Sequence, residues 1–536
     1  MRCLEYVNKM FGVPILIPIL LCFGVNVSRG EIFSANSQLK DVVSLEIEID
    51  DILEKYLNKL EENMVKLKEF LANKPPWHRN SSRRQDLEEG NPILAYHIIK
   101  RLTVDLNTLE QNLEKNDWRV VSRKIERAKL KGAIPLEQDL HGAAQALIRI
   151  QDVYDLDIWA LSQGKLLHVE TKSALTASDC LYLGKYAYNA QLYTRAIEWF
   201  EQALNLSMTT NNPRSTTDLA QNLLLLAERE HDQKLKNGIL SDYLHPLPVS
   251  KKTARLQRED KILNRRFALG KHLTAYQELE NFKALCRGEQ LMSEQEQAKL
   301  KCWLDTRKNP YFFLMPVKVE ENSGVLNLYT FHGILTENEI AIIKSIAKPK
   351  LNRARVQSGS NKEDGNVSNQ RTSKVSWTDE NDHLLMLKLA TRISRITGLR
   401  TDSRIGDSEK FQVANYGLGG HYSPHTDFLI TGKSAAEFKN MNQEFLVLGD
   451  RIATFMFYLS DVEIGGFTSF PRIGAVIRPS KGSAAFWYNL KRSGKADIMS
   501  YHGACPVVLG NKWVMNKWIR EKAQIFTRSC SLDVND

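Results

Sequence analysis

The stretch Phe411–Asp427 reads FQVANYGLGGHYSPHTD, and its reading sets the fold class of the C-terminal part of the chain. Phe411–Tyr416 is a β-prone run, and Tyr416-Gly417-Leu418-Gly419-Gly420 then breaks it with a glycine-rich turn. His425 and Asp427 follow at a spacing of two. In an extended strand that spacing turns an imidazole and a carboxylate to one face. Outward from this stretch, Arg451–Leu459, Ala475–Ile477, Ser483–Tyr488 and Trp513–Arg520 are further β-rich segments separated by glycine-containing turns. A helix containing His383–Ile396 precedes them. Many short strands of this kind predict a sandwich or jelly roll.

An imidazole and a carboxylate two residues apart call for a third ligand from a distant strand, and His502 is the best candidate. Two His and one carboxylate form the facial triad of non-haem Fe(II) oxygenases, which leaves coordination positions open for cosubstrate and dioxygen. Lys512 follows on the next predicted strand, a cation suited to a remote carboxylate. His421 shares strand parity with His425 and competes as a ligand, but a surface or supporting role suits it better.

Upstream the texture is helical. Leu57, Leu60, Met64, Leu67 and Leu71 alternate spacings of three and four within residues 41–71. That pattern fits a coiled-coil seam or an ordinary amphipathic core helix, with Asp50 interrupting its upstream phase. Pro75-Pro76 ends it, and a second helical block runs from Pro92 to Leu166. In residues 175–206, Leu183, Gly184, Ala196, Phe200 and Ala203 fall on packing positions of the roughly 34-residue tetratricopeptide frame. Lys251–Lys271 carries a net charge of +6. No nucleic-acid module accompanies it, so a solvated face, or a surface for an acidic peptide, is expected.

At 43% hydrophobic and 25% charged, the 536 residues exclude a disordered or collagen-like chain. The first thirty residues set the compartment. Arg2 and Lys9 precede an apolar run, Phe11–Val25, that is short for a membrane span, and Ser28-Arg29-Gly30 ends it. This reads as a secretory signal peptide, with no later apolar run of spanning length. Asn80, Asn205 and Asn366 sit in N-x-S sequons. Beyond the signal, Cys180, Cys286, Cys302, Cys505 and Cys530 remain. The odd number leaves at least one thiol out of intrachain bridges, and the sequence leaves the connectivity open.

The segments Gln412–Gly420, Tyr422–Phe428, Arg451–Thr454, Phe457–Val462, Gly465–Pro471, Phe486–Leu490 and Gly510–Val514 resemble the catalytic domain of the collagen prolyl 4-hydroxylase alpha-subunit family. Upstream, Asn91–Ile93, Lys100–Leu102, Gly142–Ala144, Arg149–Asp152 and Cys286–Glu289 are similar to the same family, in the same order. The resemblance implies an α+β multidomain chain whose C-terminal domain is a double-stranded β-helix (a jelly roll). That domain would bind Fe(II) through His425, Asp427 and His502 and hold 2-oxoglutarate at Lys512. O2 would be the second cosubstrate and L-ascorbate would keep the iron reduced. Tyr416 and Trp518 would line the pocket, or serve as aromatic core. The activity implied is hydroxylation of peptidyl proline in collagen-like or other proline-rich chains. The resemblance also implies bridges Cys286–Cys302 and Cys505–Cys530 with Cys180 free. It implies homodimerisation within a heterotetramer that has protein disulfide isomerase as beta subunit, held in the endoplasmic reticulum lumen.

The expected division is 1–30 signal peptide, 31–168 helical dimerisation region, 169–250 tetratricopeptide-like peptide-binding region, 251–330 basic helical linker and 331–536 oxygenase domain. One segment departs from the family. Leu219–Ala227 has no tyrosine where the family packs tyrosines on proline-rich peptide, which leaves a specialised secreted peptide, or a non-catalytic peptide-binding assembly subunit, as alternatives.

Overall fold

The computed structural model describes residues 39–57, 64–73, 90–113, 119–130, 134–209, 214–236, 268–306, 310–354, 370–429, 443–533 and 536. The expected signal peptide, the sequons at Asn80 and Asn366, and residues 251–267 of the basic segment lie outside them. Among the described residues no helix is long and apolar enough to cross a membrane.

The N-terminal half is helical and the C-terminal half is sheet-rich. The expected helix over 41–71 is described as α1 (Leu39–Leu57) and α2 (Met64–Ala72), and the heptad seam between them crosses undescribed residues. Asp50, the residue that broke the apolar phase, has a physical reason to be there. It is buried with Glu46, and both carboxylates receive the Arg101 guanidinium at 3.1 and 2.8 Å, itself seated over the Phe70 ring. Arg101 follows α3 (Pro92–Lys100), where Asn91 caps the helix by accepting from the backbone of Ile93 and Leu94.

Next comes α4 (Glu137–Tyr154), and then α5 (Ala177–Asn189) packs on α6 (Tyr193–Thr209). Gly184 is required at that crossing, because a Cβ there would stand 2.5 Å from the Phe200 ring. Thr176 and Asp179 form a capping box at the start of α5, and Lys100 pairs with the same Asp179. The long α7 (Arg214–Lys236) completes this group, with Ala220 and Ala227 buried and Leu219, Leu225 and Leu226 exposed.

After a small hairpin of β1 (Lys165–Leu166) and β2 (Val169–Glu170), the other strands build the C-terminal half. A nine-stranded antiparallel sheet has the order β3-β4-β5-β14-β10-β17-β8-β7-β6. Its strands are β3 (Cys302–Asp305), β4 (Val317–Ser323), β5 (Leu328–His332), β6 (Asn352–Arg353), β7 (Lys374–Thr378), β8 (Phe411–Tyr416), β10 (Arg451–Tyr458), β14 (Ala484–Tyr488) and β17 (Lys512–Arg520). A four-stranded antiparallel sheet has the order β13-β12-β15-β9, from β9 (Tyr422–His425), β12 (Thr468–Phe470), β13 (Ala475–Ile477) and β15 (His502–Ala504). A short pair, β11 (Ile464–Gly465) and β16 (Val507–Leu509), stands beside them. The nine-stranded sheet reaches back to Cys302, so the expected basic linker over 251–330 is corrected. β3, β4 and β5 are strands of this same sheet, and β4 and β5 bury Val317, Val319, Leu328 and Phe331.

Residue parity divides the two faces of the large sheet. Phe411, Val413, Ala453, Phe455, Phe457, Phe486, Trp513 and Met515 point into a core shared with the helix Leu384–Thr397. Ala414, Tyr416, Met456, Tyr458, Trp487 and Val514 point the other way, toward the small sheet. Every position of β8 and β10 is therefore buried, with no polar face.

The helical half packs directly on the loop after β8. Arg149 of α4 donates to Gly419 O at 3.0 Å and Tyr154 donates to Pro506 O at 2.6 Å. Gly419 has φ +52°, and a Cβ there would lie 2.9 Å from Ala146. The bridges implied by the family resemblance are also corrected. α8 (Ala275–Cys286) lies between α4 and the small sheet, and Cys286 is bonded to Cys505, just beyond β15. Packing, rather than nearness in sequence, sets this pairing. Cys302 and Cys530 are exposed thiols, and Cys180 is free and buried in α5.

Candidate metal centre

Register brings the two histidines together. β9 pairs with β15 so that His425 stands opposite His502, with ring centroids 4.6 Å apart. β9 ends at His425, and Asp427 reaches the same point from the bend beyond it. Its Oδ1 lies 3.6 Å from His425 Nε2 and its Oδ2 lies 3.7 Å from His502 Nε2. Among the described residues these three form the group whose ligand atoms, all within 4.8 Å of one another, could hold a metal.

Both imidazoles are oriented from behind. His425 Nδ1 donates to Ser423 O at 2.9 Å and His502 Nδ1 donates to Ser500 O at 2.8 Å. Each Nε2 lone pair is thereby left to face the cluster. Burial pushes the His502 imidazole down to about 4, so it is neutral near pH 7. Burial also opposes charge on Asp427, but His502, His425 and Arg451 overcome it and hold the carboxyl well below its usual range. Two imidazoles and one carboxylate on one side of a cleft fit a divalent transition metal with open positions.

Lys512 opens β17 opposite Tyr416 of β8. It is 1% exposed, and Nζ lies 5.0 Å from the centre of the Tyr416 ring. Among the described residues no carboxylate pairs with it, and burial alone pushes its ammonium down to about 7. A buried cation without an anion, lining the cleft that holds the three ligands, fits a bound carboxylate. Tyr416 and Trp518 line the same cleft. His421 does not join the ligand group. It is buried, its Nδ1 has no partner, and burial beside Arg149 and Arg353 pushes its imidazole well down.

Two family descriptions match the chain. Residues 35–168 match the prolyl 4-hydroxylase alpha-subunit N-terminal region, and residues 411–520 match the 2OG-Fe(II) oxygenase superfamily. Prolyl 4-hydroxylase subunit alpha-1 of Bos taurus is 34% identical over 527 residues, covering 93% of this chain and 95% of that one. The chain belongs to the prolyl 4-hydroxylase alpha-subunit family. Subunit alpha-2 of Caenorhabditis elegans is also 34% identical, across 96% of each chain. A solved 2-oxoglutarate complex of viral collagen prolyl hydroxylase from Paramecium Bursaria Chlorella virus-1 is 24% identical. It covers 36% of this chain and 95% of its own, at a TM-score of 0.28.

In this family member the cleft includes residues that sequence reasoning missed. Thr454 of β10 donates to Asp427 Oδ2 at 2.6 Å and accepts from Asn489 Nδ2 at 2.9 Å. Tyr422 stacks on His425 with centroids 3.6 Å apart, and Arg371 sits 4.8 Å over Tyr422. Arg371 is itself fixed by Ser373 and Gln412, each at 2.9 Å. Trp487 and Phe470 flank His502. Behind the Trp518 ring, Arg451 lies 4.0 Å away and is anchored by Glu409, which also pairs with Arg520. A signal for Thr454 existed: between Arg451 and Tyr458 it is the one polar side chain of a strand buried at every position. Arg371 had none, because no patterned run contains it and its link to the site is an isolated bridge to Tyr422.

Proposed function

We propose that this chain is the catalytic alpha subunit of a prolyl 4-hydroxylase, converting peptidyl proline to 4-hydroxyproline with Fe(II), 2-oxoglutarate and O2. The observation that carries this reading is the convergence of His425, Asp427 and His502 beside the uncompensated Lys512. His425, Asp427 and His502 hold the iron, and Lys512 receives the distal carboxylate of 2-oxoglutarate. Iron and cosubstrate together supply the oxidising power, releasing succinate and CO2 and placing one oxygen atom on proline C4.

The chain's own residues do the positioning. Ser423 and Ser500 carbonyls hold the two imidazoles in the tautomer that offers Nε2. Thr454 and Asn489 hold the Asp427 carboxylate. Lys512 neutralises the cosubstrate in a site where burial makes each charge count for more. Tyr416, Tyr422 and Trp518 wall the cleft and exclude water, with Arg371 and Arg451 as cations behind the rings. L-ascorbate would serve as the reductant that keeps the iron in its ferrous state.

The finer architecture belongs to the same proposal. The two facing antiparallel sheets are a double-stranded β-helix, α5 and α6 are a tetratricopeptide-like unit that holds proline-rich chains, and residues 31–168 dimerise. The alpha subunits assemble with protein disulfide isomerase as beta subunit in a heterotetramer of the endoplasmic reticulum lumen, after the signal peptide at 1–30 is removed. Within the peptide-binding region, exposed Leu219, Leu225 and Leu226 stand on α7 in place of tyrosines. That surface favours a specialised proline-rich peptide over a collagen repeat, since polyproline helices dock on aromatic grooves.

The test incubates the purified complex with Fe(II), 2-oxoglutarate and a panel of peptides, from (Pro-Pro-Gly) repeats to other proline-rich sequences. Gain of one oxygen on proline is the expected outcome, and His425→Ala should abolish it. Iron binding without turnover on any member of the panel would instead leave a peptide-binding assembly subunit.

A further inference from the structure

Among the described residues, those lining the metal cleft all belong to the sheet-rich half. The helical half nevertheless reaches Lys512 from behind. α4 ends at Tyr154, which is buried, and its hydroxyl donates to Pro506 O at 2.6 Å. Burial pushes the phenol well above its usual range, so it keeps its proton and acts as a donor. Pro506 lies on the turn between β15, which carries His502, and β16.

The same carbonyl accepts from Gly466 N at 3.1 Å, so one oxygen ties the helix end to the turn after β11. That turn is built for close approach. Gly465 and Gly466 have φ of +83° and +68°, which favour glycine. A Cβ on Gly465 would stand 2.5 Å from both Pro506 O and the Tyr154 hydroxyl oxygen. A Cβ on Gly466 would stand 3.3 Å from Lys512 Cδ and 3.2 Å from Val462 Cγ1. The Gly466 backbone therefore lies along the aliphatic stem of Lys512, with Val462 packed on the same glycine.

The end of α4 is fixed where it meets this turn. Asp152 receives Lys283 of α8 at 2.9 Å and Arg195 of α6 at 3.1 Å. Arg287, just beyond α8, donates to Val153 O at 3.1 Å. Cys505, the residue before Pro506, is bonded to Cys286 of α8. Helix end and turn are thus anchored to one helix, and the phenol bridges what that anchor brings together. We infer that Tyr154 is a positioning residue for Lys512: its hydroxyl fixes the Gly465–Gly466 turn, and that turn sets where the ammonium meets its anion. The inference rests on the role proposed above for Lys512 toward 2-oxoglutarate. Loss of the hydroxyl leaves Pro506 O with Gly466 N as donor, so no buried acceptor is orphaned and Tyr154→Phe should fold.

The test compares wild type, Tyr154→Phe and Val462→Ala as full-length chains in their native assembly. Two quantities are read: the dissociation constant of 2-oxoglutarate on iron-loaded protein, and the rate at which acetic anhydride acetylates Lys512, followed by mass spectrometry. Tyr154→Phe should weaken 2-oxoglutarate binding by about three- to ten-fold, the worth of one hydrogen bond, and speed the acetylation of Lys512. Val462→Ala loosens the same turn at a second contact and should do both, so the test stands if one variant folds poorly. Iron affinity should be unchanged in each. Tyr96→Phe removes another buried phenol, from α3 of the helical half, and should alter none of these readings. Acetylation of Lys512 at the wild-type rate in both turn variants would overturn the assignment. So would an equal effect of Tyr96→Phe, or iron affinity falling as far as that of 2-oxoglutarate, since either makes Tyr154 a general support of the fold. Wild-type protein that binds no 2-oxoglutarate would instead overturn the proposed function, and the acetylation rate would still decide whether Tyr154 positions Lys512.

Discussion

Strand β17 buries two lysines on opposite faces of the large sheet, and their surroundings differ in one decisive respect. Lys517 is fully buried with Nζ 2.6 Å from Glu380, over the Phe411 ring, and Glu380 also accepts from Ser403. Lys512 is just as deep, yet it faces an aromatic ring and, among the described residues, pairs with no carboxylate. A buried charge is costly unless paired, so a fold that leaves one alone has left room for the anion that pairs with it. Lys517 is a completed structural pair, whereas Lys512 is half of a pair whose other half, in the function proposed above, is the cosubstrate.

The sharpest break of that comparison is Lys517→Met. It leaves the Glu380 carboxylate buried without its cation and should lower stability by about 3–5 kcal/mol. Denaturant unfolding would read this, and 2-oxoglutarate affinity of the folded fraction should stay as it was. Lys512→Met should do the reverse. Its unfolding midpoint should hold or rise, while 2-oxoglutarate binding weakens by about 1.5–3 kcal/mol with loss of a charge-assisted bond. A stability loss equal to that of Lys517→Met would end the distinction between the two lysines.

Thr454→Val tests the same face at the metal itself. Removing the donor to Asp427 should reduce iron affinity about 10–100-fold, measured by titration, with the sheet intact. The smallest effect is in protons. Burial lowers Lys512 to about 7, and an anion beside it raises that value again. At pH 8 the empty site has mostly lost its proton, so binding 2-oxoglutarate should take up close to one proton. Below the lowered pKa the lysine is already charged and the uptake should fade. Calorimetry in buffers of different ionisation heat would read it.

Sequence alone was informative where local chemistry and parity agree. The runs Phe411–Tyr416, Arg451–Leu459, Ala475–Ile477, Ser483–Tyr488 and Trp513–Arg520 meet β8, β10, β13, β14 and β17 within a residue. His425, Asp427 and His502 were readable as candidate ligands because the His-x-Asp spacing, weak by itself, stands with His502, Lys512 and a run of short strands. β3 was not legible, since its Trp303 and Leu304 are exposed and it carries no inside–outside alternation. Nor was Arg371, which the fold brings to the cleft over Tyr422.

The sequence by itself determined the division into helical and sheet-rich parts, the short strands and the residue types of the metal centre. Periodicity and side-chain chemistry are local properties, and they survive reading in one dimension. Tertiary structure alone decided that His425 stands opposite His502, that Cys286 is bonded to Cys505 across 219 residues, and that Lys512 is left without an anion. Each of these depends on strand register or on which helix packs against which sheet. Such long-range choices are set by burying the whole core at once.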